Sequence, residues 1–285
     1  MSITKKTANL LISCPDRPWI IKRVTEFLFS YWANISLLEE HIEDGYFFMR
    51  IEWEIENFCF DCDDKFLSRF DEIKNEFQMS VNVDFKSTKK KVWFFCSKEL
   101  HCLVDILWRY MTSELNIEIP YVISNSLAWK EIVEKFWIPF FYIQTKKDSL
   151  DHEKEILQII RDNPTDLICL ARYMKILSQS FIESVNQKII NVHHSFLPSF
   201  IWANPYSEAY ERWVKLIWAT SHYVIPELDR WPIIEQAVNR IKHNHDIDNM
   251  KVIWRECEKE VFFVAIKKHI ENKLVVYKNR TIVFE

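Results

Sequence analysis

The chain has 285 residues, 48% of them apolar and 27% charged, enough for two modest domains that each bury a core. Its formal net charge is −4 and its longest basic run is Lys89-Lys90-Lys91. That leaves no basic stripe for a phosphate backbone and argues against nucleic acid as a partner. The opening apolar run is too short for a signal peptide and no later stretch is long enough to span a bilayer. A cytoplasmic protein with no membrane partner is therefore expected. Seven scattered cysteines fit reduced thiols, and Cys59 and Cys62 form one CxxC without a second pair at zinc-ribbon spacing.

In chain order, residues 9–13 (NLLIS) read as a strand, and Pro18 to Tyr31 as an amphipathic helix with apolar Ile20, Ile21, Val24, Phe27 and Leu28. NISLLEEHI and YFFMRIEWEI follow as two strands hinged at Asp44-Gly45, the strongest hairpin signal present. A helix from Asp63 to Phe77 and a strand VNVDF complete a βαββαβ order, which predicts a ferredoxin-like antiparallel sheet over residues 1–86. NLLIS or VNVDF is expected at an edge, open to pairing with a second copy. The polar stretch 87–91 reads as a linker.

From 92 to 285 the pattern becomes alternating strands and helices. KVWFFCS, IEIPYVIS, FFYIQ, DLICLA and IINVH read as strands, separated by helices such as ELHCLVDILWRYM, LAWKEIVEKF and EKEILQIIRD. A long helix from about Ile247 to Asn272 and the strands KLVVY and TIVF finish the chain. Alternation of this kind predicts a Rossmann-like α/β domain with a mostly parallel sheet, whose ligands sit beyond the carboxyl ends of the strands.

Chemistry-bearing residues fall at such ends. Asn191 and His193, two apart on a strand, project from one face. An amide N–H can hold an oxyanion and an imidazole can move a proton near neutral pH, a pair suited to attack on a carbonyl. PELDRWPIIEQ supplies a carboxylate, Asp229, in a turn. A strand-end histidine and a turn aspartate serving structure alone remain the alternative from these residues by themselves. His243 and His245 lack a third ligand nearby and read as a solvated turn; no metal site is expected.

INVHHSFLPSF, ANPY, AYERxVKLIxATSHYV, LDxxPIIEQ, LARYMKILS and SKELHCL, together with CPDRPxIIKRVTEFLFSYxANI near the start, resemble the formyltetrahydrofolate deformylases over nearly the whole chain. The resemblance implies an N-terminal ACT domain followed by a formyltransferase-fold catalytic domain. It implies hydrolysis of 10-formyltetrahydrofolate to tetrahydrofolate and formate, supplying purine biosynthesis. Asn191, His193 and Asp229 would be the catalytic trio: Asn191 and a protonated His193 stabilising the oxyanion, Asp229 organising the water and helping to carry the proton to the departing N10. Arg172, Tyr173, Met174, Lys175, Ile176 and Leu177, with Ile225, would line the folate pocket. No cofactor is implied, since the folate is the substrate; an amino-acid effector at the ACT domain and a homo-oligomer, dimer or tetramer, are. SKELHCL stands where related formyl transferases carry a glycine-rich phosphate loop, so water is the expected acceptor.

An average chain of this length carries about 20 glycines; this one has only Gly45, alongside 12 tryptophans. By the same resemblance, Trp19, Trp32, Trp137, Trp202, Trp213, Trp218, Trp231 and Trp254 occupy family glycine positions, with Trp93 a candidate ninth. Bulky side chains are therefore expected at positive φ, and Trp231 beside Asp229. Two alternative readings follow: formyl transfer to a small amine, or a folate- or amino-acid-binding protein whose turnover the tryptophans impair.

Overall fold

The computed structural model describes residues 6–56, 58–60, 62–85, 88–145, 149–194, 205–226 and 232–285. The chain forms two compact units, one of residues 1–89 with 271–275 and 282–285, the other of residues 90–270 with 276–281.

In the first unit the elements run β1 (Thr7–Pro15), α1 (Ile20–Ser30), β2 (Asn34–Glu43), β3 (Tyr46–Glu54), α2 (Asp63–Phe77) and β4 (Ser80–Asp84). They form the expected ferredoxin-like antiparallel sheet, in the order β2-β3-β1-β4. Both helices bury one face in the same cluster: Ile20, Val24 and Leu28 of α1, and Phe66, Phe70, Ile73 and Phe77 of α2, pack with Leu10, Ile12, Met49 and Ile51 of the sheet. The hairpin closes at Asp44 and Gly45, both at positive φ (51° and 73°), as a two-residue turn that matches strand twist requires. NLLIS is not at an edge. It lies in β1, paired with β3 on one side and β4 on the other, with residues 8–12 all buried; β2 and β4 are the edges.

The alternating pattern predicts one domain over residues 92–285, whereas residues 271–275 and 282–285 group with the first unit. The buried Arg50 guanidinium donates to the carbonyls of Asn272 (3.1 Å) and Glu271 (3.4 Å), and Asn272 Nδ2 donates to Asn9 Oδ1 at 2.9 Å. Such polar anchoring leaves no hydropathy signal.

The second unit begins with β5 (Lys90–Cys96), which takes Lys90 and Lys91 out of the expected linker, then α3 (His101–Met111), β6 (Ile117–Glu118) and β7 (Val122–Ser124). One strand was expected over 117–124. Pro120, which has no N–H for a ladder, divides it. The chain continues through α4 (Lys130–Glu134), β8 (Phe140–Tyr142), α5 (Asp151–Asp162), β9 (Leu167–Ala171), α6 (Gln179–Ser184), β10 (Lys188–His193), α7 (Pro205–Glu211), β11 (Leu216–Tyr223), β12 (Ile233–Arg240) and α8 (Ile247–Ile270). A final hairpin joins β13 (Leu274–Tyr277) to β14 (Arg280–Val283). The sheet order is β12-β11-β10-β9-β5-β7-β8, parallel from β10 to β8 and antiparallel at β11 and β12. From β5 the chain winds outward through β7 and β8, then returns to build β9 and β10 on the other side. The strand order therefore reverses between β5 and β9, where open α/β sheets form their ligand crevice.

Four tryptophans, Trp19, Trp32, Trp137 and Trp213, have left-handed backbone with φ between 51° and 76°. Trp32 and Trp213 each follow a helix end. Ala33 N donates to Leu28 O and Trp32 N to Phe29 O; Val214 N donates to Ala209 O and Trp213 N to Tyr210 O. This is the double hydrogen-bond closure that helices make with glycine at the left-handed position. Both indoles project into solvent, so the backbone is strained without a clash. Trp93 in β5, Trp218 in β11 and Trp254 in α8 lie in regular elements and carry no such strain. Trp202 and Trp231 lie outside the described residues. Replacing Trp32 and Trp213 together by glycine is expected to stabilise the protein by about 1–3 kcal/mol per site, measured as a rise in urea midpoint; an unchanged or lower midpoint would show that the indoles contribute more than the backbone loses.

Candidate active site

The parallel ladders align the strand ends that matter. Cys96 of β5 pairs with Ala171 of β9, and Leu170 of β9 with Asn191 of β10. Ser97, Arg172 and His193 thus emerge side by side at the crevice. Met174 N donates to Ser97 Oγ at 2.9 Å, tying the loop after β9 to the end of β5.

Asn191 and His193 share one face of β10, both half-buried, with Val192 turned to the core. Asn191 lies opposite His222 of β11, and its Nδ2 is 3.3 Å from His222 Nε2. His222 Nδ1 is 3.0 Å from Tyr223 O, a carbonyl that can only accept. Nδ1 therefore carries the proton, Nε2 accepts, and the Asn191 amide is oriented with its NH2 toward His222. One amide hydrogen is used there, and an amide NH2 has a second to offer another acceptor. Burial first pushes the His222 pKa down to about 4, with the nearby His193 adding to the fall, so the ring stays neutral in this role. Nothing in the spacing of ATSHYV marked His222; the cross-strand register alone reveals it.

His193 stacks on His194, with ring centroids 4.9 Å apart and an interplanar angle of 14°. His194 Nδ1 lies 2.7 Å from Arg172 Nη1, which can only donate. Arg172 in turn is 3.4 Å from Glu258 Oε1 on α8, and Glu258 Oε2 is hydrogen-bonded to His101 Nε2 of α3. Glu258 is fully buried. Burial alone would raise its pKa, but the His101 hydrogen bond and the Arg172 charge hold the carboxyl below its ordinary value. Burial, then Arg172, lowers the pKa of His193, with Glu258 opposing. The protonated His193 that the resemblance implies is thus disfavoured in the unliganded protein: a half-buried ring beside a guanidinium rests neutral.

Among the expected pocket residues, Met174, Lys175 and Ile176 are exposed on the loop after β9, while Arg172, Tyr173 and Leu177 are buried. Tyr173 packs edge-on against Phe95 at 5.6 Å. Ile225 is half-buried just beyond β11. Asp229 lies outside the described residues. His101, Cys102 and Glu258 are the one trio of metal-type donors among the described residues. A cation fits poorly there, because Arg172 faces the same carboxylate and burial holds the Cys102 thiol protonated. His245 Nδ1 accepts from Lys242 N at 3.4 Å within its own turn. All seven cysteines are free thiols.

Residues 90–266 match the formyl transferase domain family. The formyltetrahydrofolate deformylase of Bacillus subtilis is 44% identical over 97% of this chain and 93% of its own length. The chain belongs to the formyltetrahydrofolate deformylase family. A Synechocystis member is 38% identical over 98% of both chains. The crystal structure of the family member from Pseudomonas syringae superposes with a TM-score of 0.95 at 39% identity, covering 100% of this chain and 96% of that one. The family's fold, a ferredoxin-like sheet followed by a formyltransferase domain, accordingly holds for this chain throughout.

Three imidazoles of this family member, the buried His222 and the half-buried His194 and His269, have pKa values lowered to about 4, loss of hydration being the main cause in each. Each folded value lies below the ordinary 6.5, so the unfolded chain takes up protons first. Their contribution to stability is full above pH 6.5 and is lost progressively as the pH falls toward 4. The urea midpoint is expected to drop between about pH 7.5 and about pH 5, and to drop less in His269→Gln; equal pH dependence in the two proteins would remove His269 from this account.

Proposed function

We propose that this chain hydrolyses 10-formyltetrahydrofolate to tetrahydrofolate and formate. The observation that carries the proposal is the oriented Asn191 amide beside a neutral His193 at the strand-order reversal of a chain that matches deformylases from end to end. Water adds to the formyl carbon, and the carbonyl oxygen becomes an oxyanion held by an Asn191 N–H. His193 accepts the proton that the water loses and passes it to N10 as the carbon–nitrogen bond breaks. Asp229, placed by family resemblance, organises the water. The exposed Met174, Lys175 and Ile176, with Ile225, offer contacts to the pterin. No cofactor or metal enters these steps.

Water is favoured over a phosphorylated amine acceptor on physical grounds. The segment between β5 and α3 contains no glycine, and the buried Glu258 carboxylate lies against the first turn of α3, where it repels a phosphate. Within the same proposal, formate feeds purine synthesis, the enzyme works in the cytoplasm, and the first unit pairs through β2 or β4 into a dimer or tetramer. An amino-acid effector is assigned to the turn around Trp19, at the N-terminus of α1.

The test is formate release from 10-formyltetrahydrofolate without added acceptor. Asn191→Ala and Asp229→Asn are each expected to lose about 10²–10⁴-fold in turnover while retaining folate binding. With neutral His193 as the proton acceptor, kcat/KM rises with pH through a value below the ordinary 6.5 and is level at neutral pH. A rate that instead falls as the pH rises through that region would show that the protonated ring is the active form. Folate binding without any formate would favour the impaired binding protein, and formate transfer only in the presence of an amine would favour the transferase.

A further inference from the structure

Arg172, Glu258 and His101 take no part in the steps above, yet their arrangement is costly. A buried carboxylate and guanidinium lose hydration that their attraction repays only in good geometry, and an apolar pair of similar volume is often as stable. Arg172 also adopts φ 58° immediately after β9, a strained conformation for a residue with a side chain. Strain and burial of this kind concentrate where a side chain must be aimed.

We infer that Glu258 is a positioning residue for His193, acting through Arg172 and His194, with His101 securing its far oxygen. The inference rests on the reading of His193 as the group that moves the proton. Glu258 holds the guanidinium from α8, across the sheet end from β10. Arg172 then donates to His194 Nδ1, which leaves His194 neutral with its proton on Nε2. The His194 ring lies flat on His193 and limits its rotation. The same pair sets the charge that His193 feels. Arg172 disfavours its protonation and Glu258 favours it. Among the described residues, the other ionisable groups around the pair are His194, His222 on β11, His101 and Cys102 on α3, Cys257 on α8 and Tyr206 on α7, with Glu99 beside His101. A metal at His101, Cys102 and Glu258 is the competing explanation, and the guanidinium facing the same carboxylate speaks against it.

The experiment is an imidazole NMR titration of His193 in the full chain without ligand, paired with formate-release kinetics. Glu258→Gln is expected to move the His193 titration to lower pH and Arg172→Gln to move it to higher pH, since each removes an opposite charge. In both, kcat falls by about 10- to 100-fold, the scale of a misplaced catalytic group, and in Glu258→Gln KM is unchanged. A merely structural pair would lower the melting temperature of both variants without opposed titration shifts. Should either single variant fail to fold, the double variant, which leaves no buried charge unpaired, is expected to titrate near the parent value but keep the kcat loss. Titration of His193 at the parent value in both single variants, or parent kcat in a folded double variant, overturns the inference. The titrations are read without substrate, so a chain that releases no formate defeats the deformylase reading while leaving this one decidable.

Discussion

Everything chemical in this protein depends on β9 lying between β5 and β10. Its parallel ladders with both neighbours set Cys96, Ala171 and Asn191 within one residue of a common line across the sheet. The next residues have no further partners in these two parallel ladders, and on β10 only the antiparallel ladder to β11 continues, through Val192 and His193. A shift of one residue in the β9–β10 ladder would turn Asn191 and His193 to the opposite face, since side chains alternate strictly along a strand. The apolar Ile190 and Val192, both buried, prevent that shift. The core packing of β10 thus fixes where the reactive face points.

The antiparallel addition of β11 supplies what a purely parallel sheet would lack. Opposite pairing sets His222 directly across from Asn191, and the carbonyl of Tyr223 decides which ring nitrogen bears the proton. Two polar groups that would be a liability in a core become a fixed donor. On the other flank the chain from His193 through His194 and Arg172 to Glu258 draws on β10, the loop after β9 and α8. The site is therefore held from both sides by groups far apart in sequence.

The tryptophans show how local strain can be carried by a cooperative fold. At Trp32 and Trp213 the helix-ending hydrogen bonds form although the residue at the left-handed position is bulky. The helices α1 and α7 are held by the apolar faces they bury, Val24 and Leu28 in one case and Ala209 in the other, so the chain must turn where it does. Exposure of the indoles confines the penalty to the backbone. The same reasoning separates Trp254, which sits inside α8 and contributes a buried face to the core against Tyr206.

Periodicity by itself determined most elements: the βαββαβ order, the Asp44-Gly45 hairpin, α2 from Asp63 to Phe77, and the parallel strands. These follow from local rules of burial and turn geometry that a short window contains. The motif residues Asn191 and His193 were also legible, because two residues on one strand must share a face. Only tertiary structure decided that NLLIS lies inside its sheet and that Asn272 returns to Arg50 in the first unit. It alone brought His222 to Asn191, and Glu258 with His101 to Arg172. Those contacts join residues from 31 to 157 positions apart. Their partners are set by strand register and helix packing, which no local pattern of polar residues encodes.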